Sequence, residues 1–294
     1  MSTTSDIFIG ITSWNSELFL GHCLRALYQT SDDVSKQIVV LDNSSGDRSA
    51  DIARDLGAMV IVKSLGQADA LNYLFKLSKS RYTLLMHSDV LMLSDKWFPL
   101  CRSKISNNVA LVSPEDIGCG PYTRPFGVGM PESSFLFFDT DKLKKTKCTL
   151  WKQHFRVPVP QRVLDFYGEH VTHNIPARLT KAGLTWFAMN VHISDAVAEP
   201  IYHPGFSPRT WSEELTHLRY GLGNFYSIDG VITHYHNWFD RAHRNIPLNS
   251  TEEHRCGIPL AYIKLYTDAF LRDYTANRLI LPPTAPTDRK PVAL

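Results

Sequence analysis

Short apolar runs alternate with amphipathic stretches along the first third of the chain. Four runs of strand-like composition each end at polar residues, and they cover 7–12, 37–41, 58–62 and 82–86. Between them, apolar residues recur with the i, i+3, i+4, i+7 spacing of a helix, as in Leu20, Cys23, Leu24 and Leu27. Strands that alternate with helices through short connections form right-handed crossovers. The pattern therefore predicts an α/β fold with a doubly wound, mostly parallel sheet flanked by helices.

Weaker patterns follow in the rest of the chain. Further strands are predicted at 109–113, 133–138, 184–189 and 231–238. Helices are predicted at 95–105, 174–182 and 252–274, and the last of these forms a C-terminal helical extension. The stretch 114–131 is rich in Gly and Pro, which indicates a loop over the edge of the sheet. The Pro-rich tail 282–294 is predicted to be disordered.

Polar residues stand where three of the first four strands end. Asn15 follows the first strand, Asp42 the second, and His87 with Asp89 the fourth. In open α/β sheets, ligands bind at the carboxyl ends of the strands. Because side chains of an extended segment alternate with period 2, His87 and Asp89 can converge on one cation or one sugar-nucleotide. Each residue alone also fits a turn or a helix cap, but three polar ends at one rim favour a binding site.

Composition indicates the cellular location of the protein but says little about any reaction that it catalyses. The chain has 294 residues, of which 44% are hydrophobic and 20% charged, with a net charge of +2, so nothing demands a polyanionic partner. Its five cysteines are scattered without a CxxC pair, which favours reduced thiols and a cytoplasmic location. The N-terminus does not have the pattern of a signal peptide, and no apolar run reaches the ~20 residues of a membrane span.

Five segments form an ordered set of motifs: Thr12-Ser-Trp-Asn15, Val40-Leu-Asp-Asn-Ser-Ser-Gly-Asp47, Gly66-Gln-Ala-Asp-Ala-Leu-Asn72, His87-Ser-Asp89 and Arg178-Leu-Thr-Lys-Ala-Gly183. Together they resemble family 2 of the nucleotide-sugar glycosyltransferases, which have the GT-A fold. His87-Ser-Asp89 stands where that family carries Asp-x-Asp, so a histidine replaces the first acid. The resemblance is specific over 7–93, partial to about 190 and thin beyond.

The resemblance implies a division of the chain and an activity. Residues 1–93 would form the nucleotide-sugar-binding half of a GT-A domain and 94–240 its acceptor-binding half. A helical extension at 241–281 and the tail at 282–294 would follow. The activity implied is inverting transfer of a hexosyl or pentosyl group from a nucleotide-diphospho-sugar to an acceptor hydroxyl, assisted by a metal ion.

The resemblance also implies roles for single residues. Five residues would contact the donor, with Asp42 on the base: Thr12, Asn15, Asp42, Asn72 and His87. Asp89 matches the family's metal-binding carboxylate, and the ion would be Mn²⁺ or Mg²⁺. An imidazole at position 87 suits Mn²⁺ better than Mg²⁺ and leaves the metal requirement itself open.

Two further roles are implied for residues late in the chain. The third metal ligand would be His236 or, second, His234, with His203 as a competitor. The base that takes the acceptor's proton would be Glu169 first and Asp165 second. Each of these side chains also fits an ordinary surface, core or capping role.

Two other functions fit the same layered fold. A catalytically silent nucleotide-sugar-binding module would explain the departure at His87. A nucleotidyltransferase would need a Gly-rich, basic loop after the first strand, and Ser13-Trp-Asn-Ser-Glu17 has neither feature. The acceptor stays open between a glycan, a natural product and a modified nucleobase, any of which the segment Trp151-Lys-Gln-His-Phe-Arg156 could stack.

Overall fold

The computed structural model describes residues 5–31, 33–115, 130–148, 171–172, 174–193, 220, 223–237, 260–282 and 284. In chain order the described elements are β1 (Ile7–Ser13), α1 (Glu17–Gln29), β2 (Lys36–Asp42), α2 (Ser49–Asp55), β3 (Met59–Val62), α3 (Gln67–Leu77), β4 (Tyr82–His87), β5 (Val90–Met92), α4 (Trp97–Lys104), β6 (Val109–Pro114), β7 (Phe135–Asp139), α5 (Thr140–Lys145), α6 (Asn174–Lys181), β8 (Thr185–Ile193), β9 (Asn224–Ile228), β10 (Val231–His236) and α7 (Leu260–Thr275). No helix within these ranges is long and apolar enough to cross a membrane.

The strands form one sheet in the order β3-β2-β1-β4-β7-β6-β8-β9-β10-β5. The first four strands in this order are parallel, which confirms the predicted doubly wound α/β arrangement. Beyond β4 the sheet is mixed, since β7 runs antiparallel to both β4 and β6, and β9 is antiparallel to β8 and β10. A parallel neighbour needs a crossover connection, and no described helix separates β6 from β7. The described sheet is therefore less parallel than the sequence indicates.

Helices cover both faces of the sheet, and β1 shows how its residues divide between them. Ile7, Ile9 and Ile11 pack with α1, α2 and α4, whereas Phe8 packs on the opposite face with α3, α5 and α6. This alternation is the period-2 direction of side chains along a strand. A Cβ added at Gly10 would lie 2.9 Å from Cδ2 of Leu85 and 3.0 Å from Cβ of Leu74. Glycine at this position therefore lets α3 approach the sheet closely.

Helix α7 lies within the predicted C-terminal helical extension, of which residues 241–259 are outside the described part of the chain. Its Phe270 stacks on Tyr235 of β10, with 3.7 Å between ring centroids, and both residues are fully buried. Leu91 of β5 and Phe225 of β9 belong to the same apolar cluster. Because neighbouring side chains of a strand point to opposite faces, this packing turns the residues on either side of Tyr235 away from α7.

Candidate active site

The turns after β1 and β2 are tied together by hydrogen bonds. Asn15 has a φ of 51°, a left-handed conformation that Asn adopts more readily than most residues. Its backbone N–H donates to Oγ of Ser45 at 2.8 Å, and its Oδ1 accepts from the N–H of Gly46 at 2.9 Å. The two turns therefore form one connected wall at the carboxyl ends of β1 and β2.

Asp42 is the last residue of β2, and its buried side chain stabilises this wall through hydrogen bonds. Its side chain is buried, with 1% of the residue exposed. Oδ1 accepts the backbone N–H of Ser45 at 2.8 Å, and Oδ2 accepts the Ser45 hydroxyl at 2.6 Å. Since a carboxylate oxygen has two lone pairs, Asp42 keeps acceptor capacity for a ligand N–H.

The other residues predicted to contact the donor lie on β1, β4 and α3. Thr12 pairs with Leu41 on one side and with His87 on the other, so it lies between the ends of β2 and β4. Strands are about 4.8 Å apart, which places Asp42 and His87 about 10 Å apart across the rim. Asn72 lies half-buried in the middle of α3. Trp14, with 44% of its surface exposed, projects from the rim.

The structure brings together His87, Asp89 and His236. One ligand atom from each lies within 4.8 Å of the others. The reason is the pairing of β5 with β10, in which Val90 lies opposite His236 and so carries the preceding Asp89 to the same place. Nε2 of His236 is 3.5 Å from Oδ1 of Asp89. The His87 and His236 rings meet edge to face, with centroids 5.8 Å apart.

A buried acid, Glu132, was not found by sequence reasoning. It is 4% exposed and its Oε1 lies 2.9 Å from Nδ1 of His236, on the other side of the ring from Asp89. Tyr226 donates its hydroxyl to Oε2 of Glu132 at 2.8 Å. The only local signal was an acid beside Pro131, immediately before a buried strand.

Electrostatics at the cluster favour positive charge. Burial by itself lowers the pKa of His236, but the carboxylates of Asp89 and Glu132 outweigh it and raise that pKa to about 10. Two buried carboxylates beside one imidazole therefore attract a cation, whether a proton or a metal ion.

His234, the second choice for a metal ligand, is not brought into this group. It is fully buried and its ring stacks between those of Phe135 and Tyr226, with centroid separations of 4.2 and 4.7 Å. Burial, followed by the charge of His236, keeps the pKa of His234 well below its usual value, so the ring is neutral. His234 lies opposite Met92, two residue pairs further from the rim than His236, and this register separates the two histidines.

The cluster fits one divalent ion. Metal–ligand bonds of about 2.1 Å separate two ligands by at most about 4.2 Å, so only small side-chain shifts are needed. One carboxylate and two imidazoles also form the ligand set that holds Fe(II) in other proteins, whereas Mg²⁺ prefers oxygen. Among the two ions expected, the set therefore favours Mn²⁺ over Mg²⁺. Glu169, Asp165 and His203 lie outside the described residues.

Comparison with known families gives one match. The family model described as Glycosyl transferase family 2 matches residues 8–157, just over half of the chain, and confirms the resemblance of the motifs. A search of curated proteins found no match.

Several solved structures are similar in fold at low sequence identity. Mannosyltransferase PcManGT from Pyrobaculum calidifontis, in complex with GDP-Man and Mn²⁺, is 12% identical with a TM-score of 0.47, covering 94% of this chain and 76% of that chain. Glucosyl-3-phosphoglycerate synthase from Mycobacterium tuberculosis, with Mn²⁺ and UDP, is 16% identical with a TM-score of 0.43, covering 63% and 68%. S. aureus TarS 1-349 is 16% identical with a TM-score of 0.38, covering 50% of each chain, so this chain spans about half the length of that structure.

Proposed function

Because the chain belongs to glycosyl transferase family 2, we propose that it transfers a sugar from a nucleotide-diphospho-sugar to an acceptor hydroxyl with inversion at the anomeric carbon. Family membership favours transfer of a sugar over transfer of a nucleotidyl group. The acceptor is a glycan, a natural product or a modified nucleobase. Buried free thiols at Cys23, Cys101 and Cys148 support a reducing, cytoplasmic setting for the reaction.

One observation carries the proposal: the cluster of His87, Asp89 and His236 lies at the same rim as the turn built by Asp42. A nucleoside fits in the roughly 10 Å between them, with its base at Asp42 and its diphosphate at the cluster. Asp42 would accept the ring N–H of the base, and a charged acceptor makes the stronger hydrogen bond. The wall formed by Asn15 and the Ser45 turn would fix the orientation of the nucleoside.

The chemistry needs two groups on opposite sides of the sugar. A divalent ion held by Asp89, His236 and His87 would neutralise the leaving diphosphate. On the acceptor side, Glu169 or Asp165 would take the proton of the hydroxyl as its oxygen bonds to the anomeric carbon. The bond from that carbon to the diphosphate breaks, and the nucleoside diphosphate is released with its electron pair.

A donor screen tests the proposal. Purified protein is mixed with UDP-, GDP- and TDP-sugars and a panel of the three acceptor classes, with Mn²⁺ or with EDTA. Nucleoside diphosphate release measures turnover, and NMR of the product gives the anomeric configuration. We expect Mn²⁺-dependent turnover with inversion, and its loss in Asp89→Asn. Turnover that survives both EDTA and Asp89→Asn, or a retained configuration, would contradict the mechanism.

The replacement of the family's first acid by His87 favours one alternative, a binding module without catalytic activity. Calorimetry with the same donors separates the two. Mn²⁺-dependent donor binding without turnover on any acceptor class would favour the module. Glu169→Gln and Asp165→Asn complete the comparison, since loss of turnover with unchanged donor affinity identifies the base.

A further inference from the structure

Glu132 is held in place more firmly than a surface acid. Its backbone N–H donates to the carbonyl of Pro114 at 2.8 Å, and its carbonyl accepts the Ser113 hydroxyl at 3.1 Å. Its two carboxylate oxygens accept the hydroxyls of Ser134 and Tyr226. Backbone and side chain are therefore both fixed, so that the carboxylate meets its partners in a defined geometry.

The contact of Glu132 with His236 determines how that ring is presented. An ionised carboxylate only accepts hydrogen bonds, so Nδ1 of His236, at 2.9 Å, must carry a hydrogen. Once a metal ion displaces the proton from Nε2, the lone pair of that nitrogen is presented on the side of the ring that faces Asp89. The hydrogen bond made by one ring nitrogen sets the tautomer at the other.

The charge of Glu132 also supports its role at the cluster. A divalent ion at the cluster brings two positive charges into a buried site, and Asp89 alone balances one of them. Glu132 supplies the second negative charge from behind the ring. It is not itself one of the three residues whose ligand atoms converge.

We propose that Glu132 is a positioning residue: it holds His236 with Nε2 toward the cation, and divalent metal binding at His87, Asp89 and His236 depends on it. The inference rests on the metal site of the proposed function. Carboxylate–histidine–metal arrangements of this kind raise the basicity of the ring as well as orienting it.

Mn²⁺ titration followed by EPR tests the proposal without any assay of activity. Glu132→Gln removes the charge at nearly constant volume, and we expect Mn²⁺ to bind about 10- to 100-fold more weakly. Glu132→Asp keeps the charge but withdraws it from the ring, and we expect a loss here too. Tyr226→Phe is the matched control, because it removes one hydrogen bond of Glu132 and leaves its contact with His236. Its effect on Mn²⁺ should be the smallest of the three.

Pulsed EPR separates positioning from a general effect on stability. The wild-type Mn²⁺ complex should show nitrogen couplings from two imidazoles, and Glu132→Gln should weaken one of them. Wild-type affinity and two unchanged couplings in a folded Glu132→Gln or Glu132→Asp would overturn the inference and leave the proposed function standing. Weaker binding with both couplings intact would also overturn it, because the loss would then come from the missing charge and not from the orientation of His236. A wild-type protein that binds no Mn²⁺ would overturn the metal site and this inference together.

Discussion

Replacing Asp42 should separate its two roles, which are to stabilise the turn at Ser45 and to accept a hydrogen bond from the nucleotide base. Asp42→Ala removes two hydrogen bonds to Ser45, at 2.8 and 2.6 Å, and hydrogen bonds to charged groups contribute about 1.5–3 kcal/mol each. Because Ser45 is only half-buried, water can replace part of the hydrogen bonding that the variant loses. We therefore expect a loss of about 2–4 kcal/mol in the free energy of unfolding. Asp42→Asn keeps a carbonyl oxygen for the backbone N–H of Ser45, so it should cost only about 1 kcal/mol.

Nucleotide affinity should follow a different order. Both variants lose the charged acceptor, so each should bind UDP, TDP or GDP about 1.5–3 kcal/mol more weakly, which is a factor of about 10 to 150. Urea unfolding measures the loss of stability, and calorimetry in the presence of Mn²⁺ measures the loss of nucleotide affinity. Asp51→Asn, on the exposed face of α2 and paired with Arg54, controls for the change in net charge. Wild-type affinity in Asp42→Asn would remove Asp42 from the base pocket, and wild-type stability in Asp42→Ala would refute its role in the turn.

Three further outcomes are expected. His87→Asp adds a hard oxygen ligand and should shift metal preference toward Mg²⁺ relative to Mn²⁺ in calorimetry; an unchanged preference would show that His87 is not a ligand. His234→Phe keeps the ring stacked on Phe135 and should leave Mn²⁺ affinity unchanged, whereas a loss would return His234 to the metal site. Burial raises the pKa of both Cys23 and Cys101, so peptide mapping should find these thiols unlabelled by iodoacetamide at pH 8 until urea unfolds the chain; rapid labelling of the native protein would contradict their burial.

The half of the sheet built from β1 to β4 could be predicted because its strands are continuous apolar runs separated by helices with clear periodicity. The strand Asn224–Ile228 was not predicted, because all of its residues are buried and the sequence Asn-Phe-Tyr-Ser-Ile alternates weakly. Val90–Met92 was not predicted as a separate strand, although the chain turns after β4 and this strand pairs at the far edge of the sheet. Strand pairing at long range decides such cases.

The candidate site divides in the same way. Asp42, Asp89 and His87 stand at strand ends, where local pattern and motif order are informative. The choice between His236 and His234 was open in the sequence, since residues two apart point to the same face, and only the register of β10 on β5 separates them. Glu132 gave almost no signal, because its partner His236 lies in a strand distant in the sequence and the acid itself follows a Gly- and Pro-rich stretch.

The central claim is that one rim holds a nucleotide base at Asp42 and a metal-bound diphosphate at His87, Asp89 and His236. Crystals grown with Mn²⁺ and whichever of UDP, GDP or TDP binds most tightly, measured at the manganese absorption edge, test it directly. We predict one anomalous peak bonded to Asp89, His236 and the diphosphate, with the base against Asp42. A manganese peak elsewhere, or a nucleotide bound away from Asp42, would contradict the account.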